Sequence, residues 1–190
     1  MAYKTYTSRA VVWGRRPSNT SDRAYLLFTE NAGMLWATAR SVREERSNQR
    51  HALHDFGVVR VSLVKGKNGW RIGSVEAEIN PFMGARERSE RAFITGVVSL
   101  LRRYIHGEEA LPEVFADVIE VLVSDDTLPE ETLSIFEGRL LFRLGHLQTE
   151  AETSSILEAK NVSDAVAMTN EKTLQKLTKV IHHAHQQSQL

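Results

Sequence analysis

The stretch RAYLLFTENAGMLWATA, residues 23–39, decides the fold. It contains two apolar runs, Arg23–Thr29 and Met34–Ala39, separated by the four residues Glu30 to Gly33. Apolar and aromatic runs joined by a short glycine-containing turn are typical of a β-hairpin. We therefore predict that these residues form two neighbouring antiparallel strands.

Three further strands are predicted around this hairpin. Tyr3–Trp13 is rich in β-branched and aromatic residues and is expected to end at Gly14. Phe56–Val64 alternates apolar and polar residues, and Trp70–Glu78 follows it after a turn rich in glycine and lysine. The alternation changes phase near Gly73, which predicts a β-bulge in the last strand.

Five strands with a long insertion between the third and the fourth have the element order of an OB barrel. Residues 1–80 are therefore predicted to form an N-terminal five-stranded OB-fold domain. OB folds bind ligands on one sheet face and on the loops joining strands 1 to 2 and 4 to 5. Those loops are expected at Arg15–Asp22 and Lys65–Gly69, and the insertion at Arg40–Asp55.

Residues 81–190 show a helical period instead, so we predict a small all-helical domain and an α+β protein. Apolar residues recur every three or four positions in Glu87–His106, Leu111–Leu122 and a run that opens near Thr127 and ends at Gly145. Shorter or weaker patterns predict helices over Glu150–Lys160 and from Asn170 to about Gln187.

Charge is distributed unevenly along a chain whose formal net charge is zero. Residues 1–80 hold thirteen Lys and Arg against seven Asp and Glu, whereas residues 81–190 hold eleven against seventeen. Such asymmetry points to a polyanion-binding module joined to a part with another task. Two solvated surfaces of different charge would give the same numbers.

The composition excludes several classes of protein. The chain has no cysteine, which excludes disulfides, thiolate catalysis and cysteine-ligated zinc. No apolar run is long enough to span a membrane, and the first residues lack the apolar region of a signal peptide, so we expect a cytoplasmic protein without membrane contacts. Nucleotide-binding glycine motifs and hydrolase motifs are also missing, and we expect no catalytic residue, cofactor or metal.

The strongest candidate site is the basic rim of the predicted barrel. Arginine forms charge-assisted hydrogen bonds with phosphate, and each neutralised phosphate releases counterions. Two tryptophans on the strands could in addition stack on unpaired bases, although most aromatic rings on such strands belong to the barrel core. The candidate nucleic-acid contacts are Arg15, Arg16, Arg40, Arg43, Arg46, Arg50, Lys65 and Lys67, with base stacking on Trp36 and Trp70.

Several segments, in this order, resemble the RecO family of bacterial recombination mediators. These are Ala10–Trp13, Leu27–Gly33 with its Phe-Thr-Glu-x-x-Gly pattern, Ala39–Arg43, Val75–Glu78 and Phe136–Gly145. The resemblance implies an OB domain that binds single- and double-stranded DNA and promotes strand annealing. It also implies partnership with RecR, indirect assistance to RecA loading, and a location at the nucleoid.

The resemblance further implies specific contacts. DNA would meet Arg40, Arg43 and Arg46, and the tail of single-strand-binding protein would dock on a helix carrying Phe136, Arg139 and Arg143.

The chain also departs from the family. Ser41 replaces a family glycine, so a permissive backbone position is lost. The cysteines of the family's zinc module are missing as well, which indicates a short form. An OB-fold protein-interaction adaptor and an RNA-binding module without DNA activity remain as alternative functions.

Overall fold

A computed structural model describes residues 5–44, 46–124 and 129–188 of the chain. Its strands are β1 (Thr5–Pro17), β2 (Arg23–Thr29), β3 (Gly33–Ala39), β4 (Val58–Gly66) and β5 (Gly69–Ile79). Its helices are α1 (Asn48–Ala52), α2 (Pro81–Gly84), α3 (Arg88–Tyr104), α4 (Pro112–Val123), α5 (Thr132–Arg143), α6 (Ser154–Leu157), α7 (Val162–Ala167) and α8 (Glu171–Ser188).

The five strands close into a barrel in the order β1-β2-β3-β5-β4. All neighbours are antiparallel except β3 and β5, which run parallel and pair at Ala37 with Trp70 and at Thr38 with Arg71. The predicted fold class is confirmed: a five-stranded β-barrel is followed by a helical region.

Alternating residues of the strands fill the barrel. Val59, Val61 and Leu63 of β4 are buried while Arg60 between them is exposed, as the alternation predicted. The interior is completed by small and branched side chains from the other strands and from the β3–β4 insertion, among them Ala10, Val12, Leu27, Ala37, Val42, Leu53 and Ile72. Burial of this set is the main favourable term in barrel stability.

The predicted end of the first strand is wrong. β1 does not stop at Gly14 but continues to Pro17, with a register shift between Val12 and Gly14. A bulge absorbs the extra residue, and glycine is well tolerated there. Arg15 and Arg16 therefore lie on the strand, and the β1–β2 loop is reduced to residues 18–22.

The second predicted loop is also shorter than expected. Gly66 pairs with Gly69, which leaves Lys67 and Asn68 as the turn between β4 and β5, and Lys65 lies on β4. Gly69 has a φ of 98°, which suits glycine in a tight turn. The predicted bulge at Gly73 is confirmed, because the register passes from Ser62 opposite Ser74 to Leu63 opposite Ile72.

The chain divides into two compact units. The barrel unit comprises Met1–Ile94 and Ile105–Pro112, and the helical unit comprises Thr95–Tyr104 and Glu113–Leu190. The domain boundary predicted after residue 80 stays a prediction. No helix in the described part of the chain is long and apolar enough to cross a membrane.

The helical unit is built around a buried arginine. Arg139 of α5 is completely buried, and its guanidinium donates to both carboxylate oxygens of Asp117 on α4, at 3.1 and 3.0 Å. The remaining nitrogen donates to the carbonyls of Ile156, Leu157 and Ala159. One side chain therefore joins α4 to α6 and to Ala159, which follows α6.

The predicted helices differ from the observed ones mainly after Gly145. Glu150–Lys160 contains only the short α6, and α7 was not predicted. The capping pattern expected near Thr127 falls partly on residues 125–128, outside the described residues.

Candidate nucleic-acid interface

Four residues form one row across the outer surface of the barrel. The strand register places Arg16 opposite Ala24, Ala24 opposite Thr38, and Thr38 opposite Arg71. Paired residues on neighbouring strands point to the same side of a sheet. Because strands lie about 4.8 Å apart, the two arginines are separated by about 14 Å at the backbone. Small residues therefore lie between two cationic side chains.

Trp36 lies beside this row on the same outer face of β3. Its neighbours Leu35 and Ala37 belong to the barrel interior, whereas Trp36 itself is 38% exposed. The Arg16 guanidinium lies 4.2 Å from the centre of a Trp36 ring, a cation–π contact. An exposed aromatic ring beside cationic groups is a combination found on surfaces that bind single-stranded nucleic acids.

Trp70 occupies a different environment. It is 8% exposed and belongs to the barrel core, with Tyr6 packed against it edge to face. The Lys65 ammonium lies 4.9 Å from its ring centre. This burial argues against the predicted stacking on Trp70, because little of the ring is accessible to a base.

The segment that follows β3 exposes all four of its predicted arginines: Arg40, Arg43, Arg46 and Arg50. Ser41 adopts a φ of 50°, in the left-handed region that glycine occupies more easily than serine. Its backbone N–H donates to the Asp22 carboxylate at 2.8 Å. The Arg43 N–H donates to the Ser21 carbonyl at 3.1 Å. Backbone hydrogen bonds therefore join the arginine segment to the β1–β2 loop.

Asp22 is held as a carboxylate by these contacts. The Ser41 N–H, the side-chain amide of Asn19 and the nearby charge of Arg40 lower the pKa of Asp22. The other end of the segment is also attached, since the Gln49 amide donates to the Gly73 carbonyl of β5 at 3.0 Å.

Two of the predicted basic residues have acidic partners. The Arg15 guanidinium lies 3.6 Å from the Asp55 carboxylate. Lys65 donates to Glu108 at 2.8 Å, and this bond lowers the pKa of Glu108. Both cations are partly neutralised within the protein, whereas Lys67 is simply exposed at the turn.

The other end of the β2–β3 hairpin is covered. The Met34 N–H donates to the Gly107 carbonyl at 2.9 Å, and Gly33 is buried against the backbone of Glu109. Phe28 and Met34 on this outer face are buried as well. The accessible part of the face is therefore the end that carries Trp36.

The residues predicted to dock a partner are largely inaccessible. Phe136 is 1% exposed and Arg139 is completely buried. Arg143 is 15% exposed at its side chain and binds Asp117 and Glu113. Their positions do not suit direct contact with a protein tail, because each side chain already packs or pairs inside the helical unit.

Two residues of this surface were not predicted from the sequence. Arg71 follows Trp70 by one residue, so the alternation of β5 could have placed it on the outer face. Asp22 gave no signal, because its partner Ser41 is nineteen residues away. Within the described residues, no group of three or more His, Asp or Glu is arranged to hold a metal ion.

Comparison with known proteins gives a distant match. No protein-family model matches the chain. The DNA repair protein RecO of Syntrophomonas wolfei subsp. wolfei is 25% identical over 142 residues, which cover 73% of this chain and 56% of that protein. The chain thus matches about half the length of this curated relative. The resemblance inferred from the sequence is confirmed at this level: the chain, which has no cysteine, is distantly similar in sequence to the DNA repair protein RecO.

Proposed function

We propose that this chain is a non-enzymatic DNA repair mediator that binds single- and double-stranded DNA on the outer face of its barrel and promotes strand annealing. One observation carries the proposal: an exposed tryptophan lies beside a row of residues that ends in arginine on both sides. The distant similarity to a DNA repair protein supports the same conclusion.

Binding would rest mainly on the phosphates. Arg16, Arg40 and Arg43 would neutralise backbone charges, and the release of counterions would supply affinity without sequence preference. Stacking of an unpaired base on Trp36 would add about 1 to 3 kcal/mol. Arg46, Arg50 and Lys67 extend the cationic surface. Arg15 and Lys65 would contribute less because each already has an acidic partner.

Annealing follows from charge neutralisation. Two complementary strands repel each other through their phosphates, and a cationic surface that binds either strand reduces this repulsion. Contacts with the phosphates leave the base edges unread, so the strands remain able to pair.

The partners of the proposed mediator come from the family resemblance. They are RecR, the tail of single-strand-binding protein and, indirectly, RecA, with the protein acting in the cytoplasm at the nucleoid. We do not assign tail docking to Phe136 or Arg139, since both side chains are buried.

The decisive experiment is the salt dependence of DNA binding, measured by fluorescence anisotropy of a labelled oligonucleotide. Arg40→Ala/Arg43→Ala should weaken binding and reduce the slope of log K against log salt by about 1.4 for single strands, or about 0.7 for each lost phosphate contact. Trp36→Ala should weaken binding of single strands by about 5-fold or more and affect duplex less.

A matched control removes the same charge elsewhere. Lys172 and Lys179 are exposed on α8, so Lys172→Ala/Lys179→Ala should leave the slope unchanged. An equal slope for the wild type and the arginine variant would contradict the proposed surface. Absence of nucleic-acid binding by the wild type would favour an adaptor, and preferential competition by RNA of equal length would favour an RNA-binding protein.

A further inference from the structure

We infer that Asp22 is a positioning residue whose carboxylate holds Arg40 and Arg43 in the orientation that binds DNA. The inference rests on the proposed function. Asp22 is acidic, and a carboxylate near the bound DNA would by its charge alone weaken binding, because it repels phosphate.

The contact is specific and local. Asp22 lies in the β1–β2 loop, and one of its carboxylate oxygens accepts the Ser41 N–H at 2.8 Å. Ser41 directly follows Arg40 and precedes Arg43 by two residues. A second hydrogen bond, from the Arg43 N–H to the Ser21 carbonyl, attaches the same segment to the same loop. The two arginines are therefore attached to the barrel through the loop that contains Asp22.

The loop that supplies the carboxylate is itself ordered by hydrogen bonds. The side-chain oxygen of Asn19 accepts the N–H groups of Ser21 and Asp22 at 3.0 and 2.7 Å. Its amide nitrogen donates to the second carboxylate oxygen of Asp22 at 2.8 Å. Asp22 thus has a fixed orientation before it meets Ser41.

The hydrogen bond to Asp22 helps to maintain an unusual backbone conformation at Ser41. A serine with a φ of 50° is in a conformation that is unfavourable for residues with a side chain. Such conformations persist when surrounding contacts determine them. The bonds to Asp22 and Ser21 are those contacts, and without the first one the arginine segment would sample more conformations and bind with a larger entropic cost.

The two roles of Asp22 predict opposite results, which makes the test sharp. If its charge dominates, Asp22→Ala should tighten DNA binding. If positioning dominates, Asp22→Ala should weaken binding by about tenfold, because two long side chains lose their preorganisation. Asp22→Asn keeps one oxygen that can accept the Ser41 N–H and loses only the bond from the Asn19 amide, so it should weaken DNA binding less than Asp22→Ala.

Glu44 provides the matched control. It is exposed in the same segment, and its backbone N–H rather than its carboxylate makes the local contact, to the Ser41 carbonyl. Glu44→Ala should leave DNA affinity unchanged or raise it up to about twofold, since it removes only a charge. Ser41→Gly should keep affinity within about twofold, because glycine adopts this φ readily and retains the N–H.

Hydrogen exchange supplies a readout that does not depend on DNA. In Asp22→Ala, the amides of Ser41 and Arg43 should exchange faster, while those of the barrel strands should not change. Tighter DNA binding by Asp22→Ala, or unchanged exchange at Ser41, would overturn the inference. If the wild type bound no DNA, the proposed function would fail and the inference with it, whereas the exchange result would still show whether Asp22 orders the segment.

Discussion

Replacing Arg139 with methionine should destabilise the helical unit severely. Methionine has a similar length and can fill much of the space, so the main loss is electrostatic and not steric. The substitution removes five hydrogen bonds donated by one guanidinium: two to Asp117 and three to backbone carbonyls. All of them lie in the buried interior of the unit.

The magnitude follows from these contacts. Removal of one partner of a buried ion pair costs about 3 to 5 kcal/mol. Arg143 still donates to the Asp117 carboxylate at 3.0 Å, which favours the lower end of that range. The carbonyls of Ile156, Leu157 and Ala159 lose a donor, which adds about 1 kcal/mol or more. We therefore expect a loss of about 4 kcal/mol, a large part of the stability of a domain.

The assay can follow each unit by its own signal. Trp13, Trp36 and Trp70 are the three tryptophans of the chain, and all lie on barrel strands. Tryptophan fluorescence therefore reports on the barrel, whereas far-UV circular dichroism is dominated by helix. With a urea m-value of about 1 kcal/mol/M, the helical transition of Arg139→Met should move by about 4 M.

Two variants control this experiment. Arg102 is exposed on α3, so Arg102→Met makes the same chemical change and should shift stability by less than about 0.5 kcal/mol. Arg139→Met/Asp117→Leu removes both charges and should recover part of the loss. A helical transition of Arg139→Met that coincides with that of the wild type would refute the reasoning.

The remaining predictions concern one backbone contact and one titrating group. Gly33 has a φ of 61°, and a Cβ there would overlap the Glu109 carbonyl, so Gly33→Ala should lower barrel stability by at least about 2 kcal/mol in urea unfolding followed by fluorescence. Gly14→Ala, where a Cβ meets nothing, is its control, and equal losses would contradict the prediction. Burial and the nearby Glu137 carboxylate raise the pKa of Tyr104 from 10.0 to about 12. The corresponding stability is present below pH 10 and is lost as the pH rises towards 12, because the unfolded chain releases the proton first. Tyr104→Phe should reduce this alkaline loss in thermal melts followed by circular dichroism, and an identical pH profile would disprove it.

The strands could be predicted because their patterns are local. Period-two alternation in Phe56–Val64, the glycine turn before Met34 and the phase change at Gly73 all appear within a few residues of sequence. The barrel could be inferred because five strands with a long insertion after the third have the element order of an OB fold.

The end of β1 could not be predicted in the same way. Gly14 looked like a strand terminator, but pairing with β2 continues through Arg15 and Arg16 to Pro17. Whether a glycine ends a strand or sits beside a bulge depends on the partner strand, which local sequence does not specify.

The composition predicted which segments are basic, but it did not show which of their cations have acidic partners. Lys65 has its partner in Glu108, forty-three residues later, and Arg139 has its partner in Asp117 on another helix. Sequence shows that a residue carries a charge, whereas its availability to a ligand depends on tertiary pairing. The same limit explains why Trp36 and Trp70 looked equivalent in sequence and differ in exposure.

The width of the arginine row has a consequence for turnover. A span of about 14 Å corresponds to about four nucleotides at 3.4 Å each, the low end of what a single OB fold covers. Because residues 105–112 cover the Gly33 end of the β2–β3 face, the accessible surface beside this row does not continue to that end of the hairpin. Under the proposed function, this row and Trp36 alone would hold a strand only briefly, and a longer contact would need the cations of the Arg40–Arg50 segment. If the protein passes its DNA on to another protein, as proposed, a short residence time at this row is an advantage.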